Sequence, residues 1–123
     1  MIVKNERPPM WELISSKFDV AGKPILFSWG NIIYNPMGTP VSKELHAHEE
    51  IHGARQLDYI PPQDKVTNEK DSIKAWWWEY IASPEFRLAE EVPAHRAEYL
   101  AYCKRHGDRA PQTKMLDTIA GKL

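Results

Sequence analysis

The pentapeptide His48-Glu49-Glu50-Ile51-His52 constrains the fold of this chain more than any other stretch. It matches the pattern HExxH, whose two histidines are separated by one helical turn. A turn takes 3.6 residues, so both imidazoles lie on one helix face with β-carbons about 5–6 Å apart. At that separation both can ligate one Zn²⁺ at about 2.0–2.1 Å. Glu49 can then reach a water on the metal without ligating the metal itself. The motif therefore predicts a helix that binds zinc through His48 and His52.

The residues around the motif predict where its helix begins and ends. Thr39 is a candidate N-cap, and Pro40 suits the first helical position, where a missing N–H costs nothing. Pro61-Pro62 sets the downstream limit. At about 100° per residue, two sides separate. One side holds Val41, Leu45, His48, Glu49, His52 and Gln56, and the other holds Ala47, Ile51 and Ala54. We therefore expect a central helix packed on both sides, with His46 pointing away from the motif histidines.

Length and composition indicate an ordinary globular domain. With 123 residues, the chain predicts one compact domain over residues 1–123. A formal net charge of −1 gives no basic excess, so we expect no nucleic-acid partner. No apolar run approaches the ~20 residues of a membrane span, and residues 1–10 lack an apolar signal-peptide core. The single Cys103 excludes an internal disulfide and fits a reducing compartment, so we expect a cytoplasmic protein that does not bind membranes.

Short apolar runs ahead of the motif predict a small sheet. Ile2-Val3 is a candidate strand, and residues 11–14 fit either a helical turn or a strand. Residues 17–20 and 24–29 flank Ala21-Gly22-Lys23 and predict a hairpin, and residues 31–34 predict a third strand. We therefore expect a mostly antiparallel sheet. Its last strand is either an edge open to an extended peptide or closed by hairpin packing.

Further helices are predicted after the motif. The first starts at a cap on Thr67 or Asn68 and ends near Ser83, and its run Trp76-Trp77-Trp78 sweeps around the helix. We expect those tryptophans to pack on two sides.

The second of these helices starts with Ser83 as N-cap and Pro84 as first residue. It should be kinked or broken near Pro93, reach about His106 and stop at Gly107; residues 111–120 should form a closing helix. The architecture predicted is α+β, with a small N-terminal sheet, a central HExxH helix and two or three further helices.

A catalytic zinc needs a third protein ligand and an open position. Asp58 lies six residues after His52, but Arg55 rather than glycine stands between them, so the helix continues and turns Asp58 away. A carboxylate from a later helix is the alternative, and Glu91 supplies it. Glu91, Ala94, His95 and Glu98 share one face of that helix.

The surroundings of Glu91 favour it as the third ligand. Ala94 is small enough to let two helices approach closely, and His95 is placed to orient a ligand from behind. Glu90 points elsewhere by about 100°. The predicted zinc ligands are therefore His48, His52 and Glu91.

HExxH followed on a later helix by Glu91-Val92-Pro93-Ala94 resembles the gluzincin branch of the zincin metallopeptidases. The small size is similar to that of minigluzincins and of short phage or bacterial metallopeptidases. The match covers mainly residues 45–56 and 88–99. The resemblance implies a zincin-like fold, zinc as cofactor, a peptide or protein substrate, His48, His52 and Glu91 as ligands, and Glu49 as general base. Gluzincins often carry an acidic residue where this chain has His95.

Peptide hydrolysis also requires a donor for the tetrahedral oxyanion beyond the metal. Tyr99, Tyr102, His95 and His106 are the candidates, because they lie on or near the helix that carries Glu91. Two other functions fit the sequence. One is a non-catalytic zincin-like module that binds a metal or a partner protein. The other is a metal-free interaction module whose surface is the cluster Trp76-Trp77-Trp78.

Overall fold

The computed structural model describes residues 1–61 and 71–106. Its elements, in chain order, are β1 (Ile2–Lys4), α1 (Trp11–Lys17), β2 (Phe27–Trp29), β3 (Ile32–Tyr34), α2 (Lys43–Leu57), α3 (Ser72–Ala82) and α4 (Pro84–His106). The predicted α+β class is confirmed. The predicted cap at Thr67 or Asn68, the stop at Gly107 and the closing helix over residues 111–120 lie outside the described residues.

The sheet is mixed rather than mostly antiparallel. Its strand order is β1-β3-β2, with β1 parallel and β2 antiparallel to β3. The last strand, β3, is therefore the centre of the sheet, and the prediction that it could form an open edge was wrong. Strand β1 reaches this position because a long connection through α1 separates it from β3, which permits parallel pairing.

The hairpin lies elsewhere than predicted. Residues 11–17 form α1, so the pairing of residues 17–20 with 24–29 was wrong. The hairpin instead joins β2 to β3 through the two-residue loop Gly30-Asn31, in the register that places Trp29 opposite Ile32. Gly30 has a φ of 61°, a left-handed conformation that suits a tight hairpin turn. The Gly-Asn pair carried this signal in the sequence.

Helix α2 begins later than predicted. Its N-cap is Ser42, whose hydroxyl accepts a hydrogen bond from the Leu45 backbone N–H at 3.1 Å. Thr39 is instead held in a loop, because its backbone N–H donates to Asn35 Oδ1 at 2.9 Å and its carbonyl accepts from Asn35 Nδ2 at 2.7 Å. The helix ends at Leu57, ahead of the predicted limit at Pro61-Pro62.

One side of α2 is buried and the other is only partly covered. The buried residues are Glu44, His48, Glu49, His52, Gly53 and Gln56. On the opposite side Ala47 and Ile51 are half-buried and Ala54 is exposed. The helix therefore buries its polar, chemistry-bearing side, and the expectation of packing on both sides was wrong.

Two residues fix α2 against the β2–β3 hairpin. Gln56 is fully buried; its side chain accepts from the Gly30 backbone N–H at 2.8 Å and donates to the Ser28 carbonyl at 2.9 Å. Gly53 lies so close to the Gly30 carbonyl oxygen that an added β-carbon would collide with backbone. These contacts set the position of the motif helix relative to β2.

The aromatic core lies between the sheet, α1 and α3. Trp76 and Trp77 are 1% and 6% exposed, whereas Trp78 is 48% exposed. Trp77 packs against Phe27 of β2 with ring centroids 6.4 Å apart, and Trp76 packs against Phe86 of α4 at 6.0 Å. The predicted packing of the tryptophan run on two sides is confirmed, and it leaves only Trp78 of the three at the surface.

Helix α4 starts as predicted and continues past its internal proline. The Ser83 hydroxyl accepts from the Phe86 backbone N–H at 3.1 Å. Pro93 lies inside an unbroken helix, so of the two predicted outcomes, a kink or a break, the break does not occur. The Pro93 ring removes a single backbone hydrogen bond, and the next residue, Ala94, is buried in the helix packing. In the described residues no helix combines the length and apolarity that crossing a membrane requires.

Candidate metal centre

Helices α2 and α4 bring the three predicted ligands together. The Nε2 atoms of His48 and His52 lie 3.1 Å apart. The Glu91 carboxylate lies 3.2 Å from His48 Nε2 through Oε2 and 3.0 Å from His52 Nε2 through Oε1. Two ligands that are each about 2.0–2.1 Å from a tetrahedral zinc ion lie about 3.3 Å apart. The observed separations therefore match those of zinc ligands.

The two motif imidazoles also face each other in a way that suits a bound cation. Their Nε2 atoms face each other, so at most one can carry a proton without bringing two N–H groups into contact. A carboxylate lies beside both nitrogens. Two imidazoles and a carboxylate are a donor set that catalytic zinc takes in proteins. The residues present therefore fit a zinc ion.

Two further residues of α4 complete this group. His95 Nε2 lies 3.3 Å from Glu91 Oε2, and the His95 ring meets the His48 ring edge-to-face with centroids 4.5 Å apart. Glu98 Oε1 lies 2.9 Å from His48 Nδ1 and 3.2 Å from His95 Nδ1. We refer to the five residues His48, His52, Glu91, His95 and Glu98 as the His/Glu cluster.

Glu98 has the position of a carboxylate that orients metal-binding imidazoles. A histidine that ligates a metal commonly donates its other N–H to a carboxylate, which fixes the ring and its tautomer. Glu98 can accept from the Nδ1–H of both His48 and His95, leaving both Nε2 atoms directed into the cluster. Sequence analysis assigned the orienting position to His95 and gave Glu98 no role. The signal was the spacing of Glu98, which follows His95 by three residues on the same helix face.

His52 is held by aromatic packing rather than by a second hydrogen bond. Among the described residues its buried Nδ1 has no hydrogen-bond partner. Its ring lies edge-on to Trp76 and Tyr80 at centroid distances of 5.5 and 6.3 Å. The Tyr80 hydroxyl donates to Glu91 Oε1 at 2.6 Å. Helix α3 therefore supports the centre, a contribution that the sequence did not indicate because α3 carries no ligand.

Glu49 lies in the same cleft as the motif histidines and is held from β2. Its side chain is buried, and its Oε2 forms a short hydrogen bond with the Ser28 hydroxyl. The same hydroxyl lies 2.8 Å from the Glu49 backbone carbonyl oxygen. Burial raises the pKa of Glu49 above its usual value, against the opposing effect of His52 and His48. Strand β2 therefore fixes the predicted general base.

The charges of the cluster favour an ionised carboxylate. Burial alone would raise the pKa of Glu91, but hydrogen bonds with His48 and His52 outweigh burial and lower that pKa far below its usual range. For His48, burial lowers the pKa, and hydrogen bonds with Glu91 and Glu98 overcome it and raise the pKa to about 9. In the metal-free protein the cluster thus holds positive charge on imidazole, and a divalent cation would displace that proton.

Glu90 belongs to a separate group on the other side of α4. Its Oε1 accepts from Trp76 Nε1 at 2.6 Å, and its Oε2 accepts from Arg55 Nε and Nη2 at 2.8 and 2.6 Å. We refer to Arg55, Trp76 and Glu90 as the Glu90 cluster. Glu90 therefore points away from the motif histidines, as the helix geometry predicted. Asp58 lies at the exposed C-cap of α2, also as expected for a residue outside the site.

A cleft of about 710 Å³ opens onto the site. Its polar floor includes His48, Glu49, His52 and Glu91, and its apolar walls include Leu26 and Leu88. The candidates for an oxyanion donor differ in their access to this cleft. His95, one of the predicted candidates, lines the cleft. Tyr80 also lines the cleft, and its phenol is a further possible donor that was not among the predicted candidates. Tyr99 and Tyr102 are not among the lining residues, and the side chain of His106 lies outside the described part of the chain.

Comparisons with protein-family models, with curated proteins and with solved structures each found no match to this chain. Functional assignment therefore depends on the chemistry of the His/Glu cluster and of the cleft above it. The cluster lines that cleft with His48, His52, Glu91, His95 and Glu98. The cleft therefore gives access to the cluster from solvent.

Proposed function

We propose that this protein is a zinc-dependent metallopeptidase with a zincin-like fold, in which Glu49 is the general base. One observation carries the proposal: His48 and His52 present their Nε2 atoms 3.1 Å apart, each within 3.2 Å of the Glu91 carboxylate. The resemblance of residues 48–52 and 91–94 to gluzincins supports the same assignment. A buried Glu49 beside those ligands, in a cleft open to solvent, distinguishes this site from an ordinary buried ion-pair network.

His48, His52 and Glu91 would hold the zinc ion. Bound Zn²⁺ acts as a Lewis acid that polarises a carbonyl oxygen and lowers the pKa of water to about 7. The His/Glu cluster keeps the donors fixed before the metal arrives, because Glu98 and Tyr80 orient His48 and Glu91 respectively. Preorganisation of this kind limits the entropy that metal binding would otherwise cost.

Glu49 would transfer protons between the attacking water and the leaving amine. General acid–base catalysis works best when the pKa of the side chain lies near the operating pH. Burial raises the pKa of the Glu49 carboxyl in that direction. The Ser28 hydroxyl fixes one carboxylate oxygen, which leaves the other to exchange the proton.

The substrate proposed is a peptide segment lying in the cleft. Residues 24–26, Arg87 and Leu88 all line the cleft. Strand addition at Ser28 of β2 is unfavourable, because its carbonyl already accepts from Gln56 Nε2 at 2.9 Å and Trp77 Nε1 at 3.1 Å. We therefore propose that the substrate runs beside residues 24–26 rather than pairing with β2 at Ser28.

Two neighbouring variants test this function. The purified protein is assayed for zinc content and for cleavage of a peptide library, with and without a chelator. Glu49→Gln should retain zinc and lower turnover by about 10²–10⁴-fold, the usual contribution of a general base. Glu50→Gln is the matched control, because Glu50 is exposed and paired with His46 on the outer side of α2. Unchanged turnover in Glu49→Gln would refute the mechanism.

A non-catalytic metal site is the second candidate function. The nearby His95 favours it, because this residue brings a further imidazole to the cluster. Zinc bound by the protein, with no chelator-sensitive cleavage of any library peptide by the wild type or by His95→Ala, would support this second function and contradict the first.

A further inference from the structure

We propose that His95 is a fourth protein ligand of the metal and keeps the site closed in the resting protein. This inference rests on the proposed zinc site and adds a regulatory state to it. A catalytic zinc has three protein ligands and one position for water, whereas a structural zinc has four protein ligands. A fourth ligand that can leave would let one site adopt both states.

The first observation is the direction of the His95 ring. Its Nε2 faces Glu91 Oε2 at 3.3 Å, close to the separation of about 3.3 Å expected between two ligands of a tetrahedral zinc ion. The candidate ligand atoms of His48, Glu91 and His95 all lie within 4.8 Å of one another. The distance from His95 Nε2 to the Glu91 carboxylate is thus similar to the 3.2 and 3.0 Å that separate the carboxylate from the two motif histidines.

The second observation is that His95 is held in the same way as His48. One oxygen of Glu98 lies within 3.2 Å of the Nδ1 atoms of both rings. A carboxylate in this position fixes the tautomer with a free Nε2. His95 and Glu98 are each 4% exposed, so neither is a solvated surface group. A histidine that only paired with Glu91 along the helix would not need its Nδ1 fixed by the acid that orients His48.

The chemical consequence is competition for one coordination position. With four protein ligands in place, solvent is excluded from a four-coordinate ion. His95 lines the cleft, so a substrate that enters the cleft would contact its ring and compete for this coordination position. The resting protein would then be latent, and loss of His95 would weaken metal binding while opening the site.

Cobalt(II) spectroscopy and zinc affinity test this proposal on the 123-residue chain. Azide is added to the Co(II) form as a probe for an open coordination position. In the wild-type protein we expect azide to leave the visible spectrum unchanged. In His95→Ala we expect an azide-dependent shift, restoration of the wild-type spectrum by added imidazole, and zinc affinity lowered by at least about tenfold, since loss of even an outer hydrogen-bond partner costs 10–100-fold.

Two further variants control the interpretation. His46→Ala should behave as wild type in every measurement, because His46 lies on the outer side of α2 and pairs with Glu50. His95→Gln keeps a side chain that can hydrogen-bond Glu98, and it should respond to azide as His95→Ala does. The azide measurement on the wild-type protein needs no variant, and a spectral response there would by itself overturn the proposal.

The outcomes separate this proposal from the proposed function. A wild-type Co(II) spectrum that responds to azide as His95→Ala does would overturn the fourth-ligand proposal and leave the peptidase proposal standing. An azide-insensitive wild type and an azide-sensitive His95→Ala, with no peptide cleavage by either, would support the fourth ligand and overturn the peptidase.

Discussion

The His/Glu cluster and the Glu90 cluster both join α2 to α4, yet they are satisfied in different ways. In the Glu90 cluster the Trp76 N–H donates to one carboxylate oxygen, and Arg55 Nε and Nη2 donate to the other. In the His/Glu cluster two Nε2 atoms face each other 3.1 Å apart, and the buried Nδ1 of His52 has no partner among the described residues. The first cluster is therefore satisfied by its own side chains, whereas the facing Nε2 atoms of the second are the position at which the proposed zinc ion would bind.

Adjacent residues of one helix therefore have different roles. Glu90 and Glu91 differ in direction by about 100°, which turns one carboxylate to the indole of Trp76 and the other to the motif histidines. A buried carboxylate needs either complementary donors or a metal ion, since an unpaired buried charge is costly. The difference between the clusters predicts different responses to zinc and to substitution.

The largest expected effect is stabilisation by zinc through the His/Glu cluster. A ligand that binds only the folded state at 1,000 times its Kd raises the free energy of unfolding by about 4.1 kcal/mol. Urea denaturation with and without zinc should show an increase of this order in the wild-type protein. His48→Ala should lose the increase, because His48 belongs both to the predicted ligand set and to the group formed with Glu91 and His95, whereas His46→Ala should keep it. An equal zinc response in His48→Ala would place the metal elsewhere.

The second effect is a loss of stability that does not depend on zinc. Glu90→Ala leaves the buried indole N–H of Trp76 without its acceptor and removes the contact with Arg55. An unsatisfied buried donor costs about 1–3 kcal/mol, so we expect a decrease in the free energy of unfolding of about 2 kcal/mol. Urea denaturation should show the same decrease with and without zinc.

The exposed Glu50 provides the control for Glu90. Because it forms a surface pair with His46, Glu50→Ala should change stability by less than about 1 kcal/mol. If Glu90→Ala lost zinc binding while remaining folded, the Glu90 cluster and the His/Glu cluster would be coupled. That result would contradict the independence of the two clusters.

A smaller effect is expected when Glu98 is changed to Gln. An amide is a weaker acceptor than a carboxylate, and Glu98 orients both His48 and His95. Loss of such an outer partner typically lowers metal affinity by about 10–100-fold. Competition with a zinc chelator of known affinity measures this change. Glu90→Gln is the matched control on the same helix, and its zinc affinity should equal that of the wild type.

Local patterns in the sequence predicted the grouping of His48, His52 and Glu91 better than they predicted the sheet. The spacing of His48 and His52 fixes their common helix face, and the angle between Glu90 and Glu91 selects which carboxylate turns to them. Both inferences concern single helices, where geometry depends on sequence separation alone. The parallel pairing of β1 with β3 joins distant segments, so no local pattern of Ile2-Val3 indicated it.

The site residues that the sequence did not indicate also depend on tertiary packing. Ser28 and Tyr80 reach the site from β2 and α3, and neither lies within a recognisable motif. The Ser28 contact depends on how α2 docks against the hairpin, where Gly53 closely approaches Gly30. The Tyr80 contact depends on how α3 packs against α4. Glu98 was different, because its helix spacing from His95 was available in the sequence and its role as an acceptor was overlooked.

The smallest expected effect is that of Tyr80→Phe. The Tyr80 hydroxyl donates to Glu91 Oε1 at 2.6 Å, and a hydrogen bond to a charged group contributes about 1.5–3 kcal/mol at most. Zinc would itself satisfy part of that carboxylate, so we expect zinc affinity to fall by less than about tenfold, or 1.4 kcal/mol.

The titration of Tyr80 sets the pH dependence of this loss. Burial first, and then Glu91, raise the pKa of Tyr80 well above its usual value, so the phenol remains a donor from pH 6 to pH 9. The ratio of wild-type to Tyr80→Phe zinc affinity should therefore be the same at both ends of that range. Unchanged zinc affinity combined with a large loss of peptide turnover would instead assign the hydroxyl to the substrate, as the oxyanion donor that a metallopeptidase requires.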